Sequence, residues 1–258
     1  MDVRRTTSFS YSLRALGRNE LPPSISIGAK SYRHEKTVKH DFWAATGFYV
    51  DESGHRVVLK LSRSAPFFAM PYKFIGQWLC RREVRFYRAL QDLPNVPRLL
   101  GTLEDRGFVH AYVAGVPLTE CHRVPQQFFT ALQNLIAEIH RRGIAYADTN
   151  KCSNILFCDD GQPHLIDFQI SWDLHELGNT ALNRWWLRRL QHEDRRHVLK
   201  HKSRLCPAEL SPEERQFLDH RSAILRLHRF FSRPVRHMRR RFFKGMRQAG
   251  QLLPEGSA

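Results

Sequence analysis

Two stretches carry the residue types that could do chemistry: "AYADTNKCSNILF" and, a few residues later, "HLIDFQIS". They bring Asp148, Asn150, Lys151, Asn154 and Asp167 into 20 residues, around two short apolar runs. Between them lies "DDGQ", and Asp-Gly is a strong hairpin signal. With Asp160 and Gly161 as a two-residue turn, Asn154 stands directly opposite Asp167, about 5 Å away at Cα. An amide oxygen and a carboxylate meeting at the open end of a hairpin suit a hard cation such as Mg²⁺, completed by phosphate oxygens. Asp148 arrives from the side as a candidate base and Lys151 as a cation. Together these are the parts that phosphoryl transfer needs. The plain alternative is a turn-rich hairpin in which Asn154 and Asp167 are strand-end residues.

Two upstream residues weigh against that alternative. Lys60 sits within "RVVLKLSR", an apolar strand where an unpaired charge is expensive, and Glu83 follows 23 residues later within "CRREVRFYRAL". A strand lysine paired to a helix glutamate is a phosphate-orienting device. Their plain readings are an edge-strand lysine and a solvated helix residue. The order of all these residues along the chain favours an active centre.

The elements that must position them can be read from periodicity. Residues 1–30 are a polar lead-in, read as flexible. "DFWAATGFYV" and "HRVVLKLSR" are strands around "DESG", and a helix spans roughly 72–90. Two more strands flank "EDRG". "PQQFFTALQNLIAEIHRRG" is a helix with Phe128, Leu132, Leu135, Ile136 and Ile139 on one face and Gly143 at its C-cap. After the hairpin the chain becomes polar, helical and basic. The class is α+β: a sheet-rich part at 31–113, a mainly helical part at 114–220 and a basic helical tail at 221–258.

The 258 residues carry a formal net charge of +16. Between Arg221 and Pro254 there is no acidic residue, while ten arginines and lysines are present, a field that attracts polyanions. Nucleic acid, anionic lipid headgroups and a phosphorylated glycolipid all fit that charge. Trp185 and Trp186 in "ALNRWWLRRL" are read as core residues, with a lipid interface as the alternative. His140, at a helix end, is assigned to packing. Five scattered cysteines without a CxxC pair argue against structural zinc or a disulfide framework. With no apolar run behind the N-terminus, a cytoplasmic location is expected, with peripheral contact at the inner face of the membrane.

The run "IHRRGIAYADTNKCSNILF…HLIDFQIS" resembles the catalytic loop and metal-binding segment of the protein-kinase-like superfamily. With "KHDFWAATGFYV", "VVLKLSR" and "DRRHVLKHKSRLCPAELSPEE", the span from about Lys36 to Pro212 is most similar to the bacterial lipopolysaccharide core kinases, which act on Kdo and heptose. The resemblance implies a two-lobed fold with a small antiparallel-sheet N-lobe and a mainly helical C-lobe, using ATP and Mg²⁺. By position, Lys60 would hold the ATP phosphates, Glu83 would anchor Lys60, Asp148 would take the proton of the attacking hydroxyl, and Lys151 would match the catalytic-loop lysine. Asn154 and Asp167 would hold Mg²⁺, and His110, Ala111, Tyr112 and Val113 would present backbone groups to adenine. The expected acceptor is a polyanionic glycolipid. A protein Ser/Thr acceptor is the second reading, and a pseudokinase module docking on anionic membrane or RNA the third.

Four departures accompany the likeness. Asp148 and Asn154 are six residues apart, where eukaryotic-type protein kinases have five; Tyr146-Ala147 replaces His-Arg before the aspartate; Gln169 replaces the glycine after Asp167-Phe168; and no glycine-rich loop is present, Gly47 standing alone. Lys36, Lys39 or His40 is the expected substitute at the phosphates. No Ala-Pro-Glu motif follows Asp167, so the usual platform for a protein substrate is missing.

Overall fold

The computed structural model describes residues 11, 14–66, 73–175 and 177–219. The basic tail expected at 221–258 and most of the first 13 residues lie outside the described residues. Two compact units are present. Among the described residues, the first comprises those up to Val84 together with Leu99–Tyr112, and the second comprises Arg85–Arg98 and 113–219.

The first unit is a six-stranded antiparallel sheet. Its strands are β1 (Ser24–Ile27), β2 (Lys30–His40), β3 (Ala44–Val50), β4 (Arg56–Ser62), β5 (Leu99–Leu103) and β6 (Gly107–Ala111), in the order β1-β2-β3-β4-β6-β5. Alternating apolar residues give the sheet one dry face, where Tyr32, Ala45, Tyr49, Val57, Leu59 and Val109 pack together. Leu16, Leu21 and Ile25 complete that core. The stretch 14–30 is therefore packed structure and not the flexible lead-in expected from its polar composition. A sheet face this apolar has to be covered, and three spaced aliphatic side chains cover it.

Gly47 serves the same packing. A Cβ there would come within 2.6 Å of Leu21 Cδ1 and 3.1 Å of the Lys36 carbonyl oxygen. The β2–β3 connection is only three residues long and is tied on all sides. Asp41 Oδ1 accepts the amides of Trp43 and Ala44 at 2.8 and 2.9 Å. The Arg63 guanidinium, buried, donates to the Phe42 carbonyl at 2.8 Å and lies 3.9 Å from the centre of the Phe42 ring. From the other side, the Ala15 amide donates to the Asp41 carbonyl at 2.7 Å. His40, one of the three expected phosphate contacts, is buried with its Nδ1 2.6 Å from Arg14 Nη2. Lys39 pairs with Asp41 at 2.8 Å, and Lys36 stands exposed on β2.

Helix α1 (Lys73–Ala89) begins in the first unit, and its last turn belongs to the second. There, the turn after it is stitched to the hairpin: Asn95 Nδ2 donates to the Pro163 carbonyl at 2.8 Å, and the Asn95 carbonyl accepts the Leu165 amide at 3.0 Å. The second unit also holds a small antiparallel sheet of β7 (Gly115–Pro117), β8 (Ile155–Cys158) and β9 (Pro163–Leu165). Helix α2 (Gln126–Arg141) buries Phe128, Leu132, Leu135, Ile136 and Ile139 as the periodicity predicts, with Phe129 added. Gly143 takes φ +73° just past it, the left-handed turn expected of its C-cap. Helix α3 (Ala181–Leu205) is capped by Thr180 and buries Asn183, Leu187, Asp194, Val198 and His201; α4 (Pro212–Asp219) closes the described chain. Trp185 and Trp186 are not core residues: they are 53% and 43% exposed. Among the described residues, no helix is long and apolar enough to cross a membrane. All five cysteines are free thiols, four of them buried.

Burial and then the neighbouring Arg14 cation lower the His40 pKa from 6.5 to about 4. The folded state thus resists charging His40, so the stability it contributes is present above pH 6.5 and lost as pH falls toward 4. The urea midpoint should drop over that window, and the drop should be smaller in His40→Gln. An identical pH profile for the variant would remove His40 from the account.

Candidate active site

In the first unit Lys60 occupies β4, a strand paired on both sides, with Thr46 of β3 and Phe108 of β6 as its neighbours. Its Nζ donates to Glu83 Oε1 on α1 at 2.8 Å, and Glu83 is 2% exposed. Neither an edge-strand lysine nor a solvated helix residue describes this pair. Burying two charges costs several kcal/mol, so such a pair is weak evidence of stabilisation and better evidence of a task.

In the second unit, three of the expected residues converge. Asp148 is 5% exposed, and its Oδ2 accepts from both Lys151 Nζ at 2.6 Å and Asn154 Nδ2 at 2.8 Å. The loop gets there by a tight path: the Lys151 amide donates to the Asp148 carbonyl, and the Asn154 amide to the Lys151 carbonyl, each at 3.0 Å. With its NH₂ group committed to Asp148, Asn154 keeps its amide oxygen as an acceptor. Lys151 remains half exposed, so a cation stands at the mouth of a buried carboxylate. Asn150, the fifth polar residue of the motif, is an exposed turn residue.

The hairpin register differs from the expected one. Ile155 pairs with Leu165, Leu156 with His164 and Phe157 with Pro163. The turn is a three-residue loop, 159–161, in which Gly161 takes φ +76° and its amide donates to the Cys158 carbonyl at 2.9 Å. Asn154 is therefore bonded across to Ile166, whose amide donates to the Asn154 carbonyl at 3.1 Å, and Asp167 lies one residue beyond. Asp-Gly signals a hairpin but not which of two loop lengths, and one residue of slip changes every facing pair.

Asp167 has φ +65°, a left-handed conformation uncommon outside glycine. Its surroundings hold it there. The Phe168 ring is buried edge-to-face between Tyr87 and Tyr146, at 5.0 and 5.1 Å between centroids. The Asp167 amide donates to the Tyr87 hydroxyl at 3.3 Å, and the Tyr146 hydroxyl donates to the Ile166 carbonyl. Burial above all, then the carboxylates of Asp167 and Asp148, push the Tyr146 pKa well up, so its hydroxyl stays a donor. Tyr146 thus feels both acids.

The residue that holds the loop is one the sequence reasoning passed over. Asp194, buried on α3, accepts the Tyr146 amide at 2.8 Å, the Ala147 amide at 2.9 Å and the Thr149 hydroxyl at 2.9 Å. His140 Nε2 is 3.1 Å from the same carboxylate, which gives the packing role assigned to His140 a specific partner. Ala147, at φ +64°, is the strained residue beneath this grip. One and two turns further on, His197 contacts the Thr149 hydroxyl at 3.4 Å and His201 Nε2 meets the Thr149 carbonyl at 2.8 Å. Burial lowers both imidazoles, His197 to about 4, so the clasp is built of neutral rings. A buried acid at 194 with histidines at 197 and 201 is a visible i, i+3, i+7 pattern, but only the folded loop shows what it receives.

His110 and Ala111 lie in β6 opposite Val58 and Val57. Tyr112 packs edge-to-face on Phe48 at 5.1 Å, and the boundary between the units falls between Tyr112 and Val113. Among the described residues no cluster of three His, Cys, Asp or Glu side chains forms a metal site.

No protein-family model matches the chain, and no curated protein matches it by sequence. Solved structures do. The Rio2 kinase from Chaetomium thermophilum is similar at 17% identity with a TM-score of 0.53, covering 76% of this chain and 62% of that one. The same kinase as an ADP/Mg²⁺-phosphoaspartate complex is similar at 18% identity with a TM-score of 0.50, covering 78% and 63%. The chain therefore spans a little under two thirds of the length of these kinases. Its α+β fold is protein-kinase-like, with the antiparallel sheet in the N-terminal unit and most of the helix in the other.

Asp194→Ala would leave two amides and a hydroxyl without their acceptor. It should destabilise the protein by on the order of 3 kcal/mol in urea unfolding. Asp194→Asn, which keeps an acceptor oxygen, should lose less. Equal loss in the two variants would show that the carboxylate's charge, and not its acceptor geometry, holds the loop.

Proposed function

We propose that the chain is an ATP- and Mg²⁺-dependent phosphotransferase whose acceptor is a sugar hydroxyl of a lipid-linked glycan such as lipopolysaccharide core. The observation that carries this reading is the buried Asp148 carboxylate, shared by Lys151 and Asn154 in a loop clasped from below by Asp194. Asp148 is the base that takes the proton from the attacking hydroxyl as its oxygen bonds to phosphorus. Lys151, beside it and open to solvent, offsets the negative charge of the transferring group. Lys60, oriented by Glu83, holds the phosphates of the nucleotide. The backbone from His110 to Val113 receives the adenine.

The oxygen chemistry of Asn154 and Asp167 suits Mg²⁺, which takes one or two protein oxygens and completes its shell with phosphate and water. Bound there, the ion would neutralise phosphate charge. The commitment of Asn154 Nδ2 to Asp148 supports this, because the amide oxygen, which accepts from the Ser153 hydroxyl at 3.5 Å, keeps a second lone pair for the cation.

The acceptor class rests on the likeness of the motifs to lipopolysaccharide core kinases, on a charge of +16 and on the short stretch from Phe168 to Thr180. That stretch offers little of the platform on which a protein substrate would lie. A cytoplasmic location with peripheral contact at the membrane follows from such an acceptor. The pinned β2–β3 connection favours one other reading, a nucleotide-binding module without transfer, because nothing there resembles a closing glycine loop.

The first test offers γ-labelled ATP·Mg²⁺ with lipopolysaccharide extract and with a mixed protein substrate in parallel. Label should enter the glycolipid and fall by roughly 10²–10⁴-fold in Asp148→Asn, with nucleotide binding retained. Label in protein alone would reassign the acceptor. No label with intact ATP binding would favour the binding module. Separately, Asp167→Ala should abolish the Mg²⁺-dependent part of nucleotide affinity, and unchanged affinity would take the metal away from Asp167.

A further inference from the structure

Helix α3 has two unlike faces along its first turns. Asn183 and Leu187 point inward, continuing the stripe that reaches Asp194 and the catalytic loop. Leu182, Trp185 and Trp186 fall on another face, at 73%, 53% and 43% exposure. The two indole rings lie side by side, 6.1 Å apart and inclined by 36°. Leu177, 59% exposed, stands just before the Thr180 cap. Single exposed apolar residues are ordinary, but two tryptophans and a leucine within five residues form a patch.

Along the first turns of the helix the charge beside this patch has one sign. Arg184 and Arg188 are exposed between and beyond the apolar residues, and the first turn carries no acid. On the helix itself the first acid is Glu193, about two turns beyond Trp186 and paired with Arg189 at 2.9 Å; ahead of the cap, Asp173 is paired with Arg85, and Glu176 follows it in the sequence. The helix N-terminus adds its own positive end.

We infer that this face docks the protein on an anionic lipid surface, with Leu182, Trp185 and Trp186 entering the headgroup–acyl boundary and Arg184 and Arg188 meeting lipid phosphates. Tryptophan prefers that boundary because its ring is apolar and its N–H polar, and arginine can bury its stem while its head stays at the phosphates. A second copy of the chain is the poorer occupant. Two molecules of formal charge +16 repel, and this patch would bring arginines against arginines. An anionic membrane offers the opposite charge and an apolar layer together. The inference is independent of phosphate transfer and would stand if none occurred.

The exposed cluster on α1, Phe74, Ile75 and Trp78, does not share these features. The Arg82 guanidinium already lies 5.3 Å from the Trp78 ring centre, and residues 67–72 before that helix are outside the described ones.

The test uses the full chain with phosphatidylglycerol vesicles whose acyl chains are brominated, and with brominated phosphatidylcholine vesicles beside them. Tryptophan fluorescence should be quenched on the anionic vesicles and hardly at all on the neutral ones. In Trp185→Ser/Trp186→Ser the quenching should vanish, and vesicle affinity should fall by at least about tenfold. Both positions are exposed, so the melting temperature should be unchanged, and a melt checks that the variant is folded. Arg184→Gln/Arg188→Gln should weaken binding to the anionic vesicles. Vesicle binding without acyl-chain quenching would overturn the inference, because charge elsewhere, such as the basic C-terminal sequence, would then hold the protein. Equal quenching on both lipids, or retention of quenching in the tryptophan variant, would overturn it too. So would dimerisation abolished by that variant in the absence of any vesicle binding.

Discussion

The loop that carries Asp148 hangs from one buried carboxylate. Asp194 collects two consecutive backbone amides and a hydroxyl, and in doing so holds Ala147 in a left-handed conformation that an alanine does not adopt by preference. That conformation sets where the chain delivers Asp148. The strain of about 1–2 kcal/mol at such a residue is tolerable only because three hydrogen bonds to a charged acceptor outweigh it. The aspartate sits mid-helix on α3, the longest helix among the described residues. An element that presents Asp194, His197 and His201 along one side can hold a loop of ten residues in one shape without any glycine in it.

A second constraint is aromatic. Tyr87, Phe168 and Tyr146 form a file of rings, and the hydroxyls of the two tyrosines secure both polar groups of the peptide that joins Ile166 to Asp167. Gln169 follows Phe168, so the chain there lacks the freedom that glycine would give. The arrangement is fixed by packing and neutral hydrogen bonds. The ion pair Lys60–Glu83 is its counterpart in the other unit, a charged interaction retained inside an apolar sheet.

Much of this was legible in the residues, for identifiable reasons. Lys60 stood out as a charge in an apolar strand, and Gly143 as a glycine where a helix must stop. Asp148, Lys151 and Asn154 stood out because they lie between an apolar helix and an apolar strand in a loop with an acid, a cation and amides, and the fold class followed from the order of elements. What stayed hidden depended on partners distant in sequence. Asp194 opens the run "DRRHVLKHKSRL" but received no role, since its value lies in groups 45 to 48 residues away. The loop length at Asp160-Gly161 was undecided by composition, and with it went the exact facing of Asn154. Trp185 and Trp186 were taken for core because tryptophan usually is. The order in residues 14–30 was missed because three aliphatic side chains in a polar stretch carry no periodicity.

The cysteines give the molecule a property useful at the bench. Burial raises the pKa of every one of the five, Cys80 and Cys158 to about 11. A thiol reacts as its thiolate, so at neutral pH these groups are slow toward alkylating reagents and mild oxidants. A cysteine introduced on an exposed turn would outrun all five. With one such cysteine placed in each unit, fluorophores or spin labels could be attached without stripping the native thiols, and distances between the two units could be read in solution.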